Sequence, residues 1–301
     1  MTVAVTITAA PRLGLVFVPN LPPERLRSYV LAADAAGLDE LWVWEDCFRE
    51  SGIASAAAVL AWTERIKVGV GLMPVPLRNV ALTAMEIATL DRLFPGRFVA
   101  GVGHGVQSWM GQVGARVESP MTLLREYASA LQRLLNGERV SVQGRYVTLD
   151  DVALDWPSLT PPTLMLGGVG PKSLHLAGEL GDGTLLTGAL TDDEVRDSCL
   201  VIAKGIAARS SSTQTGHQIV AAQIAATGAG AQERVNAEVA RWRTDGRPGV
   251  GVAGDAATIA ASLLRLASFG VTTIAIHPTD DEPDLAGFID FLGREVRPLL
   301  G

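Results

Sequence analysis

The run Leu166-Gly167-Gly168-Val169-Gly170-Pro171-Lys172-Ser173 carries the most specific chemistry in this chain. Ahead of it, Thr163-Leu164-Met165-Leu166-Gly167 reads as a buried strand, and Pro171 is a favoured first helical residue. Glycines between a strand and a helix let an anion approach bare backbone N–H groups at the helix N-terminus. Such a segment can hold a phosphate through Gly167, Gly168, Val169, Gly170, Pro171, Lys172 and Ser173. It lacks the G-x-G-x-x-G spacing of a dinucleotide fingerprint, and no glycine directly precedes the lysine as in a Walker loop. The same residues would also make a plain strand-to-helix turn, and their types alone leave both readings open.

Other reactive side chains follow apolar runs. Glu45 and Asp46 come after Leu41-Trp42-Val43-Trp44. Adjacent strand residues face opposite sides, so one carboxyl would point into the fold and the other toward the loops. Alternatively, one caps the next helix and the other is solvated. Among the four histidines, His104 lies between Gly103 and Gly105, free to aim at a ligand, and reads as functional. His277 stands open between function and packing. His175, inside a helical pattern, and His217, ahead of a strand, read as structural or solvated. No His, Cys, Asp or Glu set has metal-ligand spacing, so no metal is expected. A G-x-S-x-G elbow is absent. Cys47 has no base beside it and reads as a small buried residue, and Cys199 is too distant in sequence to suggest a disulfide framework. Trp109 falls in a long loop where it would wall an apolar pocket, whereas Trp42 reads as packing.

These residues are spaced by an alternation of strand and helix patterns. Strands are expected at 13–18, 38–44, 66–72, 97–102, 163–167, 183–187, 219–226 and 271–276. Helices are expected at 22–36, 52–63, 79–93, 121–136, 171–180, 192–208, 231–243, 255–269 and 284–299. The rhythm pauses after the fourth strand, with a loop from Gly103 to Pro120 and a hairpin over 140–149 turning at Gln143-Gly144. Asp245 to Gly254 reads as a glycine-rich loop. Eight strands with intervening helices predict a (β/α)8 barrel in a single domain over 1–301, with a doubly wound open sheet as runner-up. In a barrel, functional groups belong at the C-terminal strand ends. Glu45-Asp46, Met73-Pro74, Gly103-His104-Gly105, Gly168-Val169-Gly170, Thr187-Gly188 and His277 would then crowd one mouth.

The composition narrows the partners. With 301 residues, 48% of them hydrophobic, the chain can bury a large core. A net charge of -7 without a basic cluster argues against nucleic acid. No apolar run reaches a membrane-spanning length of about 18 residues. Met1 to Ala10 lacks the basic start of a secretory signal, so a cytoplasmic setting is expected.

Several pieces, in this order and spacing, carry a resemblance. They are Ala36-Gly37-Leu38-Asp39-Glu40-Leu41-Trp42-Val43 into Glu45, and Arg65-Ile66-Lys67-Val68-Gly69-Val70-Gly71-Leu72-Met73-Pro74. Then come Glu86-Ile87-Ala88-Thr89-Leu90-Asp91-Arg92-Leu93 and Pro95-Gly96-Arg97-Phe98-Val99-Ala100-Gly101-Val102-Gly103. Gly144-Arg145-Tyr146, the glycine-rich turn, and Ala177-Gly178-Glu179-Leu180-Gly181-Asp182-Gly183 complete the set. From about residue 13 to 190, and more weakly to the end, the chain resembles the bacterial luciferase-like superfamily of flavin- or F420-dependent oxidoreductases.

The resemblance implies a TIM barrel with an insertion after strand 4 and a flavin-type ring across its C-terminal mouth. It implies a non-prolyl cis peptide under the ring, at Gly71–Leu72 here. Phosphate contacts map to Gly167–Ser173 and to His104-Gly105-Val106, with Glu45 and Thr187 also at the cofactor. The arginine that meets phosphate in flavin-using relatives falls at His104, which a protonated ring would replace; its absence favours F420 over FMN. Where many relatives carry a histidine after strand two, this chain carries Asp46. Asp46, His104 and Glu45 are therefore the expected catalytic residues. The glutamate of the sugar-phosphate dehydrogenase branch is Val106 here, which argues against glucose 6-phosphate and, with Trp109 and Met110, for an apolar acceptor. The expected function is hydride transfer to, or oxygenation of, an apolar organic substrate. A two-component FMN monooxygenase, fed by a separate reductase, and a non-catalytic flavin-binding barrel are the alternatives. The alanine-rich helices at 52–63 and 79–93 are expected to form a homodimer face.

Overall fold

The structure is a computed structural model that describes residues 10–209, 216–243 and 246–301. Residues 1–9, and Asp245 at the head of the expected glycine-rich loop, lie outside the described residues.

The strands are β1 (Arg12–Phe17), β2 (Glu40–Val43), β3 (Lys67–Pro74), β4 (Phe98–Gly103), β5 (Val140–Gln143), β6 (Thr148–Val152), β7 (Leu164–Gly167), β8 (Gly183–Leu186), β9 (Gln218–Ala226), β10 (Val252–Ala253) and β11 (Thr273–Pro278). The helices are α1 (Leu26–Ala35), α2 (Gly52–Trp62), α3 (Val80–Leu93), α4 (Gln107–Gln112), α5 (Pro120–Leu135), α6 (Pro171–Leu180), α7 (Asp192–Ala207), α8 (Ala231–Trp242), α9 (Ala256–Ser268) and α10 (Leu285–Phe291).

Eight parallel strands run in the order β9-β11-β1-β2-β3-β4-β7-β8, and β8 pairs back onto β9. That last ladder, Gly183↔Gln218 through Leu186↔Ala221, closes the sheet and excludes the open, doubly wound alternative. Two-residue β10 adds to β9 inside the expected glycine-rich loop. The insertion between β4 and β7 holds the β5–β6 hairpin. Glu126 on α5 fastens its turn by accepting the backbone N–H groups of Arg145, Tyr146 and Val147 at 2.9, 2.9 and 3.1 Å.

Strand ends shift by one to three residues, as with β3, which runs on to Pro74, and three helical stretches differ in kind. The Gly103–Pro120 loop contains the short helix α4. The first helix opens with a 3-10 turn over Pro23–Arg25 before α1 begins. The expected closing helix becomes α10, a π turn over 292–296 and a 3-10 turn over 297–300. Pro298 has no N–H to continue α-helical bonding there. Gly293 also lets this end press on α1, since a Cβ would stand 2.0 Å from the Ala36 carbonyl oxygen.

Alternation along the strands sorts two cores. Leu13, Leu15 and Phe17 face the surrounding helices, whereas Val16, Trp42, Val99, Met165, Leu185, Val220 and Ala275 fill the barrel interior. Trp42 packs there as expected, its Nε1 donating to Glu40 at 3.0 Å. Arg12 and Thr273 meet the same buried Glu40 at the N-terminal end of the barrel.

Candidate functional site

The C-terminal strand ends enclose a cavity of about 510 Å³, lined mainly by apolar and aromatic side chains and glycines, with Glu45, Asp46, His104, Gln107 and Thr187 as its polar groups. Its floor begins at β3. Pairing with β4 slips between Val70 and Met73, and the Gly71–Leu72 peptide is cis, as the resemblance implied. Leu72 then lies across two glycines. A Cβ would stand 2.5 Å from it at Gly103 and 2.2 Å at Gly167, so both positions need glycine for this approach.

Beyond Gly167 the chain enters α6. Gly168, Val169 and Gly170 line the cavity, and no side chain caps the helix. Nothing stands within 4 Å of where a Gly170 Cβ would be. Amides in the first helical turn lack intrahelical acceptors. Pro171 supplies no N–H, so the amides offered to an acidic group at the cavity are those of Gly168, Val169 and Gly170, which line it. Pro171, Lys172 and Ser173 do not line the cavity; Ser173 sits behind the turn, where its Oγ lies 2.9 Å from His104 Nε2.

His104 lines the cavity, with Nδ1 buried and unpartnered. Burial lowers its pKa, against an opposing pull from the Pro120 carbonyl. Burial thus works against the charged form that a stand-in for the phosphate arginine would need. Gly105, Val106, Gln107, Trp109 and Thr187 also reach the cavity.

The two carboxyls after β2 have separate fates. Both line the cavity. Glu45 is held by Arg78 through both guanidinium nitrogens and accepts the Gly52 N–H at 2.9 Å, at the start of α2. Glu86 adds a second acid 3.3 Å from Arg78. Asp46 has no such cation clamped on it, and burial raises its pKa, with Arg49 opposing. A carboxyl with a raised pKa suits proton transfer nearer neutral pH. The Cys47 thiol is raised too, by burial and then by Glu45 and Asp46, so it is not an activated nucleophile.

The remaining histidines sort clearly. His175 is a surface residue of α6. His217 sits at the opposite barrel end between Thr184 and Arg209, each 2.8 Å away. His277 reaches the mouth but is buried behind Trp44 and Trp242. No spacing in the sequence signals Arg78 or Trp242, because each arrives from an element whose orientation the chain order does not reveal. Among the described residues no group of three or more His, Cys, Asp or Glu could hold a metal, and no helix is long and apolar enough to cross a membrane.

Against known proteins, a family model described as luciferase-like monooxygenase matches residues 3–291. The 5,10-methylenetetrahydromethanopterin reductase of Methanolobus tindarius is 33% identical over 181 residues, 60% of this chain and 55% of that protein. The F420-dependent glucose-6-phosphate dehydrogenase of Beutenbergia cavernae is 32% identical over 179 residues, 55% of this chain and 53% of that protein. The match thus spans about half the length of these curated relatives. The solved coenzyme F420-dependent tetrahydromethanopterin reductase from Methanopyrus kandleri superposes with a TM-score of 0.81 at 20% identity, over 97% of this chain and all of that one, a likeness of fold.

Proposed function

The chain belongs to the luciferase-like monooxygenase family, and on that premise we propose that it is an oxidoreductase using coenzyme F420, with FMN the alternative. Its substrate is an apolar organic molecule that receives a hydride or is oxygenated. One observation carries this reading: an uncapped, glycine-rich helix N-terminus opens into an apolar cavity that also holds Asp46.

The open amides after β7 would bind the cofactor's acidic group, and Leu72 would support its ring. The bound cofactor supplies the hydride chemistry. Asp46 would hold or accept a proton at its carboxyl oxygen, while the surrounding apolar side chains exclude water. His104 would contribute a polar edge, and Glu45, held by Arg78, would position the loop that carries Asp46.

F420 is preferred because His104 stands where an FMN phosphate would meet an arginine and the described cavity lining itself contains no arginine or lysine, the one cation beside it among the described residues being Arg247 of the adjoining hollow that shares Gly168, Val169 and Thr187. The same lack disfavours a sugar phosphate as substrate, although one similar protein carries that substrate in its name. The family's monooxygenase members support the second reading, a two-component FMN enzyme fed by a separate reductase. Oxygen uptake coupled to substrate loss separates it from hydride transfer.

Residues 1–301 are read as one domain acting in the cytoplasm. A homodimer through α2 and α3 is proposed, since Trp62, Leu82, Met85 and Leu93 lie exposed on those helices; sedimentation at micromolar concentration tests it. The direct test of the main proposal is reconstitution. Purified apoprotein is titrated with F420 and with FMN while tryptophan fluorescence is followed, and submillimolar quenching by F420 is expected. Quenching by neither cofactor rejects the proposal.

A further inference from the structure

The barrel mouth has two unlike halves. Leu72 and the turn after β7 form one, across β3, β4 and β7. The other is built on β9, β11 and the exit of β2. Beside Val220, the alanines Ala222 and Ala275 line the cavity here, and a Cβ at Gly188 would stand 3.6 Å from the Ala222 methyl. At this hollow stand Trp44 and Trp242, whose rings meet edge to face at 5.0 Å. His277 completes a triad at 5.3 Å from Trp44 and 5.2 Å from Trp242.

One buried carboxylate holds this wall. Glu238, only 4% exposed, lies one turn before Trp242 on α8. It accepts the Trp242 Nε1–H at 2.9 Å and the backbone N–H of Asp280 at 3.1 Å. His277 Nε2 lies 3.7 Å away and Arg241 3.6 Å. Burial first, and then Arg241, push the His277 pKa down to about 3 against the pull of Asp280, so the imidazole packs as a neutral ring. Glu238 thereby ties α8 to the chain leaving β11 and fixes the indole of Trp242.

We propose that the hollow at Trp44 and Trp242 is a subsite for an uncharged aromatic or alicyclic ring of the substrate, with Glu238 as its positioning residue. The inference rests on the oxidoreductase reading, which leaves the opposite half to the cofactor, and it names the substrate class. Indole faces and edges favour ring contacts in offset or edge-to-face geometry. Among the described lining residues there is no lysine or arginine, and the carboxyls present are Glu45, already paired, and Asp46. An anionic ring would enter unpaired and lose its hydration without return. The two indoles meet edge to face, so the edge of one occupies a face of the other that a cation would need.

Calorimetric titration of the full chain with acetophenone, benzoylformate and benzylamine tests this. Acetophenone is expected to bind saturably, with the anion and the cation each about tenfold weaker or more. Trp242→Ala should weaken acetophenone roughly three- to tenfold. Glu238→Gln keeps an acceptor for the indole N–H and should stay near wild type. Glu238→Leu should weaken binding and move the tryptophan emission maximum, and Trp242→Phe, which keeps a ring but lacks the N–H, should match it. The double variant should lose no more than either alone, because both cut one link. Equal affinity for the three probes, or unchanged binding in Trp242→Ala, overturns the inference. F420 quenching is followed in parallel. If neither F420 nor FMN binds while the acetophenone preference holds, the oxidoreductase reading falls and the subsite stands. If F420 binds and the preference is absent, the subsite alone falls.

Discussion

Arg78 grips Glu45 with both guanidinium nitrogens, and this pairing divides the labour between two neighbouring carboxyls. Both partners are largely buried, with 15% and 10% of their side chains exposed. Glu45 is thereby held in place, and it also accepts the first amide N–H of α2. Removing one member of a buried pair strands the other charge. Arg78→Met should therefore cost about 3 kcal/mol of stability in urea unfolding, the usual size for a broken buried pair. An unchanged midpoint would show that water already screens Glu45.

Asp46 differs, because burial raises its pKa above the ordinary 3.8. The folded state then binds a proton more readily than the unfolded chain. Stability from this group is present below the ordinary value and is lost as pH rises through the raised one. Asp46→Asn should be more stable than wild type at neutral pH and less dependent on pH. Turnover of a proven substrate should fall about 10²–10⁴-fold if Asp46 moves the proton. Wild-type rates in the variant would remove Asp46 from the chemistry.

Cofactor affinity should be insensitive to the charge of His104. Its pKa lies below the ordinary 6.5, through burial. Quenching titrations from about pH 8 down to that value should give a flat dissociation constant. Affinity that strengthens steeply as pH falls toward 6.5 would instead mark a protonated ring on the phosphate.

The glycine turn offers a paired test. At Gly168 a Cβ would stand 2.4 Å from Ser173 Cβ, whereas at Gly170 it would meet nothing within 4 Å. Gly168→Ala should cost about 1–3 kcal/mol through overpacking and weaken F420. Gly170→Ala should fold normally, with its φ of -82° already open to any residue. A loss of cofactor in the second variant without loss of stability would mark close approach of the ligand to that backbone.

His217 gives a stability signal far from the mouth. Burial, then Arg209, lower its pKa to about 4. The unfolded chain takes up its proton first as pH falls, so stability is full above 6.5 and declines toward 4. His217→Gln should remove about 2–3 kcal/mol of that acid-side loss in unfolding curves measured across the window. Parallel curves for the two proteins would show that the unfolded state titrates no differently.

The sequence by itself determined the eightfold alternation of strands and helices, the single crowded mouth and the glycine turn after Leu166. Those features are local: period, punctuation and backbone permission are written in neighbouring residues. It also placed His217 away from the mouth, which followed from strand direction alone. Barrel closure was different, since only the β8–β9 ladder between residues far apart in the chain decides it. The same holds for the fates of Glu45 and Asp46, adjacent in the chain yet separated by an arginine 33 residues further on. The sequence offers His104 as a phosphate contact if protonated, and only the fold reveals the burial beside Ser173 that works against that charge. Ionisation and pairing depend on what is brought close by the whole fold, and those distances are tertiary quantities that no local pattern encodes.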